Sequence, residues 1–143
     1  MSHVSHKYPG QPWQIKVFAD GSTEQSDGII LSGENPLLAG TTYRGPLEVR
    51  RSSLVSWQWR QKSGSGTAAS IDFTATNETK PIIGEYADIT VWSPLPTTFS
   101  TLPSGGDASE ILPMSDVIGT YLQVVIVVGG SNLVGFRLTG LVK

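Results

Sequence analysis

The chain has 143 residues, 38% of them hydrophobic and 15% charged, with no cysteine and a formal net charge of −2. That length suits one domain with a sizeable core, and the lack of cysteine excludes a disulfide framework, a cysteine zinc site and a thiol nucleophile. The mild negative charge removes the electrostatic basis for general nucleic-acid binding, and no apolar run approaches the ~20 residues of a membrane span, so neither nucleic acid nor membrane is an expected partner.

Residues 1–12 are polar, are interrupted by Pro9 and Pro12, and read as an extended N-terminal arm without the apolar core of a signal peptide. Residues 13–143 read as a single domain made in the cytosol. Trp13 to Ala19 alternates and is predicted as the first strand, ended by a turn at Asp20-Gly-Ser22. A short strand near 28–31 and a loop over 32–40 follow. Tyr43 to Arg50 contains Pro46, which lacks the N–H a central strand donates, so an edge strand is expected there.

Leu54 to Gln61 is the strongest strand in the first half, with Val55, Trp57 and Trp59 on one face and Ser56, Gln58 and Arg60 on the other. A Ser/Gly turn over 62–67 leads to Ala69–Thr76, with Ile71, Phe73 and Ala75 inward, and the two runs are expected to form a hairpin. Ala87–Ser93 reads as another strand, with Trp92 opposite Ile89 and Val91. A proline-studded loop covers 94–109, and 110–119 reads as a strand end or one helical turn.

The chain closes on Tyr121–Val128, apolar on both faces, then Gly129-Gly-Ser-Asn132 and an alternating run to Lys143. Turn residues between two such runs are expected to make a hairpin. In the last run Val134, Phe136, Leu138 and Val142 share one face, opposite Arg137 and Thr139. A strand greasy on both sides has to be covered on both sides, by its own domain or by another chain. The fold expected is all-β: an antiparallel β-sandwich, jelly-roll-like or immunoglobulin-like, with the N-terminal arm extended from it.

No catalytic pattern emerges. His3 and His6 are the only histidines, both in the arm, with neither the third ligand a metal needs nor the oriented base of a triad. Asp72 and Asp88 sit on outward faces rather than in a cleft, so paired-carboxylate chemistry has no obvious seat. No enzyme activity, metal or cofactor is expected. Arg44, Arg50, Arg51, Arg60 and Lys62 cluster in sequence and read mainly as a solvated basic face. Trp57 and Trp59, two apart on one face, read as core side chains; the alternative is a sugar-stacking platform in a carbohydrate- or receptor-binding module. Trp92 is the aromatic expected at an exposed contact.

Several stretches together resemble a known group: the Trp-bearing strand, the Ser/Gly turn, the alternating strand ending in Thr76-Asn77, the long loop, Leu122-Gln-Val124, Gly129-Gly130, Leu138-Thr-Gly140 and Lys143. The chain from about 54 to 143 is similar to small β-sandwich virion proteins of tailed bacteriophages. It departs from their pattern in carrying Gln123 where an Arg is common, and in a longer N-terminal segment. The resemblance implies a non-enzymatic structural subunit of decoration, minor capsid or head/tail accessory type, made in the host cytoplasm and residing in the virion. Its implied partners are other virion proteins, such as major capsid or tail proteins, and copies of itself, for example as a trimer. The contacts expected are the arm and its junction, with Tyr8 and Trp13, then Trp92 and the loop that begins with Pro94, Leu95 and Phe99.

Overall fold

The computed structural model describes residues 12–20, 28–31, 35–48, 55–77, 91–114 and 121–142. Among these residues ten strands form: β1 (Pro12–Gln14), β2 (Lys16–Ala19), β3 (Ile29–Ile30), β4 (Thr42–Glu48), β5 (Val55–Gln61), β6 (Ala68–Thr76), β7 (Ser93–Pro94), β8 (Ala108–Met114), β9 (Tyr121–Val128) and β10 (Phe136–Val142). They make two antiparallel sheets, one ordered β1-β10-β5-β8 and the other β3-β2-β4-β9-β6-β7.

The pairing is nested. β1 pairs with β10, β4 with β9, β5 with β8 and β6 with β7, so the outermost partners in the chain close around the inner ones. With β10 beside β5 and β9 beside β6, this is the strand order of a jelly roll: two sheets that share an antiparallel ribbon folded over on itself. The all-β sandwich read from the sequence is therefore the architecture, and the order is jelly-roll rather than immunoglobulin-like.

Both expected hairpins are corrected by this topology. β5 and β6 lie in different sheets, as do β9 and β10. The Gly/Ser segments 62–67 and 129–135 are arches that carry the chain across the sandwich instead of turning it back on its neighbour. The apolar faces of successive strands then meet face to face: Trp57 of β5 packs on Phe73 of β6 with ring centroids 5.0 Å apart, an aromatic pair of the kind that adds about 0.5–1.5 kcal/mol beyond its buried area. Val55, Trp57, Trp59, Ile71, Phe73, Leu122, Val124, Ile126, Phe136 and Leu138 fill the space between the sheets.

The first predicted strand is in fact two. Ile15, fully buried, is the corner at which the chain leaves the small sheet for the large one. Its N–H donates to Leu138 O and its carbonyl accepts from Leu31 N–H, so it is bonded toward both sheets at once. This strand switch closes one side of the sandwich.

β4 lies inside the large sheet, although Pro46 argues for an edge. The conflict resolves locally: the β2–β4 ladder pairs only Phe18 with Arg44 and Ala19 with Tyr43, so Pro46 lies where β2 has already turned away. Gly45 sits at the same bend. A Cβ there would come within 2.8 Å of Ile15 Cγ2 and 3.0 Å of both Val17 and Val124, so glycine lets the corner close.

Two further expectations change. The run 110–119 is strand as far as Met114. In the terminal run the alternation does not pass through Gly135, whose φ of 74° resets the phase. Leu133 is buried and Val134 is 36% exposed, while Phe136 and Leu138 face the core as expected. The N-terminal arm, with His3, His6 and Tyr8, and residues 87–90 of the run ending at Ser93 lie outside the described residues.

Candidate interaction surface

The side of the sandwich opposite the Ile15 corner is closed by the segment that follows β7. Leu95 N–H donates to Phe73 O at 2.8 Å, Thr98 Oγ1 donates to Ile71 O at 2.8 Å, and Ala68 N–H donates to Pro103 O at 3.0 Å. Residues 95–103 thus run antiparallel down β6 as an irregular continuation of β7. Phe99 turns into the core, 6% exposed, with its ring centroid 5.8 Å from Phe73. Trp59 Nε1–H donates to Thr101 O at 3.2 Å. Across the gap Glu110 of β8 accepts from Ser100 N–H (2.8 Å), Thr101 N–H (2.6 Å) and Thr101 Oγ1 (2.6 Å). Burial pushes the Glu110 carboxyl up, and the hydrogen bonds from Thr101 and Ser100 more than offset it, so its pKa sits below the ordinary 4.5.

This strap corrects part of the expected contact set. Phe99 is a core residue, and Leu95 is half-buried against the core rather than offered to a partner. Pro94 is exposed and pairs with Thr74; Trp92 is half-buried, and its neighbour Val91 is the exposed one. Trp13 lies in β1 with its backbone paired to Gly140, its side chain outside the description. Trp57 and Trp59 are both 0% exposed, so neither presents a ring face to a sugar, and the stacking platform assigned to them does not exist.

At one end of the sandwich the two arches and the start of β8 interlock. Gln61, 1% exposed, donates through Nε2 to Ser65 O (2.9 Å) and Val134 O (3.0 Å), with a longer contact to Gly66 O (3.4 Å). Its Oε1 accepts from Gly105 N–H at 2.9 Å. One amide therefore ties three loops together. Asp107 Oδ1 accepts from Ser63 N–H at 2.6 Å, and Asn132 Oδ1 accepts from Ala39 N–H at 2.9 Å. Three side-chain oxygens, from Gln61, Asp107 and Asn132, are thus spent on loop N–H groups at this end.

Among the described residues folding divides the basic cluster between the two sheets. Arg44 lies on the outer face of the large sheet, where it pairs with Asp20 at 2.8 Å, while Arg60 lies on the outer face of the small sheet. Arg50 and Arg51, and Asp88, lie outside the described residues; Asp72 is exposed, paired across to Val125. Among the described residues no group of three His, Asp or Glu side chains could hold a metal ion. No family model matches the chain, and no curated protein is similar to it.

What the described surface offers is sheet edge. Among the described residues five large apolar side chains are exposed; Ile30 lies in β3 and Ile111 in β8, each an edge strand of its sheet, and Val91 lies just before β7. Ile30 and Leu38 flank an open cleft of about 520 Å³ lined also by Ile29, Pro36 and Tyr43, whose hydroxyl accepts from Leu38 N–H at 3.0 Å. Scattered apolar residues are ordinary on a monomer; the edge strands that carry Ile30 and Ile111 are where a partner would gain backbone pairing and apolar burial together.

Proposed function

We propose that the chain is a non-catalytic structural subunit of a bacteriophage particle: a capsid decoration, minor capsid or head/tail accessory protein. It acts by burying surface against other virion proteins and against copies of itself. The observation that carries this reading is the exposure of Ile30 and Ile111 on β3 and β8, an edge strand of each sheet. A jelly roll is a common architecture of viral capsid proteins, which supports the reading as an analogy of fold. Lectins use the same architecture, but the aromatic platform that reading assigned to Trp57 and Trp59 is enclosed in the core.

In this reading the subunit is made in the host cytoplasm and incorporated during assembly, with closed symmetric association, such as a trimer, as a natural way to cover edges. The test is the copy number of the protein in purified particles from its source, measured by quantitative mass spectrometry against the major capsid protein. A fixed high ratio identifies a decoration or capsid subunit, and a few copies per particle a tail or vertex component. Absence from particles overturns the proposal.

A further inference from the structure

The two sheets treat the strap side differently. The large sheet's edge there is covered, first by β7 and then by residues 95–103 running down β6. The small sheet ends at β8, a seven-residue strand that pairs with β5 and with no other described strand. Among the described residues the strap's hydrogen bonds to β8 all go to the Glu110 carboxylate; none goes to the β8 backbone. Alternate N–H and C=O groups of β8 therefore point outward without a protein partner among the described residues.

Natural edge strands are usually blunted by an outward charge, a proline or a bulge. β8 has Pro113 near its end, but Ala108 to Leu112 carry only one charge, Glu110, and that carboxylate is turned onto Ser100 and Thr101. On the outer face the register sets three cross-strand rows. Ser109 lies beside Arg60, and Arg60 across from Arg137; Ile111 lies beside Gln58; Pro113 lies beside Ser56. Ile111 is 62% exposed. Arg60 and Lys62, both exposed, line a cleft of about 290 Å³ at the start of β8, together with Gln61, Asp107, Ala108 and Ser109. Asp107 is the one carboxylate there, and it is held by Ser63 N–H. Neither Arg60 nor Lys62 forms an ion pair among the described residues.

We propose that β8 is a strand-addition site for an extended, acidic polypeptide segment of a partner protein. The segment's backbone pairs with Ala108–Leu112. A carboxylate lands beside Ser109 within reach of Arg60 and Lys62, and two positions along, on the same face, a β-branched apolar residue covers Ile111. The spacing follows from the strand period of two; the sign follows from the cleft lining, two cations against one carboxylate. This inference rests on the reading of the chain as a contact subunit and adds the chemistry of the partner.

The test uses the isolated full chain and a short, blocked, fluorescein-labelled threonine-rich peptide with Asp and Val two positions apart. Three comparison peptides replace Asp by Lys, Val by Asn, or carry N-methyl groups on alternate backbone nitrogens. The expected result is saturable anisotropy with the Asp/Val peptide, slower amide exchange confined to β8, and weakening by about fivefold in Arg60→Glu. Binding is lost with the N-methylated peptide and in Ile111→Lys. Both substituted positions are exposed, so both variants fold; their unchanged melting temperatures are the check. Equal binding of the Lys peptide, no protection of β8, or no binding at all overturns the proposal. Self-association of the chain that protects β8 and is lost in Ile111→Lys also overturns it, by making a second copy the occupant. A failure here leaves the copy-number measurement in particles untouched, so the two readings can fail separately.

Discussion

Gly64 lies against the carbonyl of Val134 so closely that a Cβ added to Gly64 would overlap that oxygen. The contact joins the β5–β6 arch to the β9–β10 arch, and it is reinforced by Val134 N–H donating to Ser65 O at 2.8 Å and Gly106 N–H donating to Gly64 O at 3.1 Å. The obstacle is backbone and cannot swing aside. Gly64→Ala is expected to destabilise the fold by about 2–4 kcal/mol. Gly130, exposed at the tip of the other arch with nothing within 4 Å of its added Cβ, is the control: Gly130→Ala should stay within about 0.5 kcal/mol of the parent. Urea denaturation of the three proteins checks both, and equal midpoints would mean that the arches do not lock each other.

How far this was legible in the sequence follows from the same arches. Alternation placed Val55, Trp57, Trp59, Ile71, Phe73 and Ala75 in the core, because burial on a strand face is written in the period of two. Turn chemistry located the Gly/Ser segments at 62–67 and 129–132. It did not say what they join: glycine and serine permit a tight reversal and an arch between sheets equally, and pairing is decided by partners far along the chain. β1 finds β10 at the other terminus, which no local pattern records. The functional surface was harder still. Phe99 sits in a loop whose prolines and serines read as exposed, yet it is held inward by strap hydrogen bonds. Gln61 does carry a signal: it continues the inward alternation of Val55, Trp57 and Trp59. A polar residue on a core parity is a candidate hub.

That hub gives the second prediction. Gln61 is enclosed, and its amide serves two close carbonyls and one N–H on three different loops. Gln61→Leu keeps most of the volume and leaves Ser65 O, Val134 O and Gly105 N–H without this partner. A buried group stripped of its hydrogen bond costs about 1–3 kcal/mol, so a loss of at least about 2 kcal/mol is expected in thermal denaturation. Faster amide exchange should appear in 62–67, 101–107 and 129–135 together. A loss confined to one loop would show that Gln61 does not couple them.

The two core tryptophans should respond differently to the same change. Trp59 Nε1–H is bonded to Thr101 O, whereas Trp57 Nε1–H, equally buried, has no hydrogen-bond partner among the described residues. Phe at either position removes part of the indole and leaves a comparable space. Trp59→Phe additionally removes the hydrogen bond to the Thr101 carbonyl, while Trp57→Phe discards an unpaired donor. Trp59→Phe is therefore expected to cost about 1 kcal/mol more than Trp57→Phe, measured by denaturant unfolding followed by circular dichroism. The reverse order would mean that packing on Phe73 outweighs the hydrogen bond.

Glu110 supplies the pH dependence. Its folded pKa is lowered: burial acts to raise it, and hydrogen bonds from the Thr101 hydroxyl and the Ser100 and Thr101 N–H groups act more strongly in the other direction. A carboxyl depressed on folding adds stability that is fully present above its unfolded value, near the ordinary 4.5, and is lost as pH falls through the lower folded value. The parent should therefore lose melting temperature on acidification across that window, in step with slackening of the strap. Glu110→Gln keeps an acceptor for one N–H but removes the titration. Its melting temperature should be lower than the parent's at neutral pH, and the gap should close as the pH falls below 4.5. The group is only partly buried, so the effect is modest, and its shape carries the argument rather than its size. Parallel curves for the two proteins across the acid range would show that the carboxylate does not hold residues 100 and 101 against β8. The strap would then depend on Phe99 and the bonds to β6 alone.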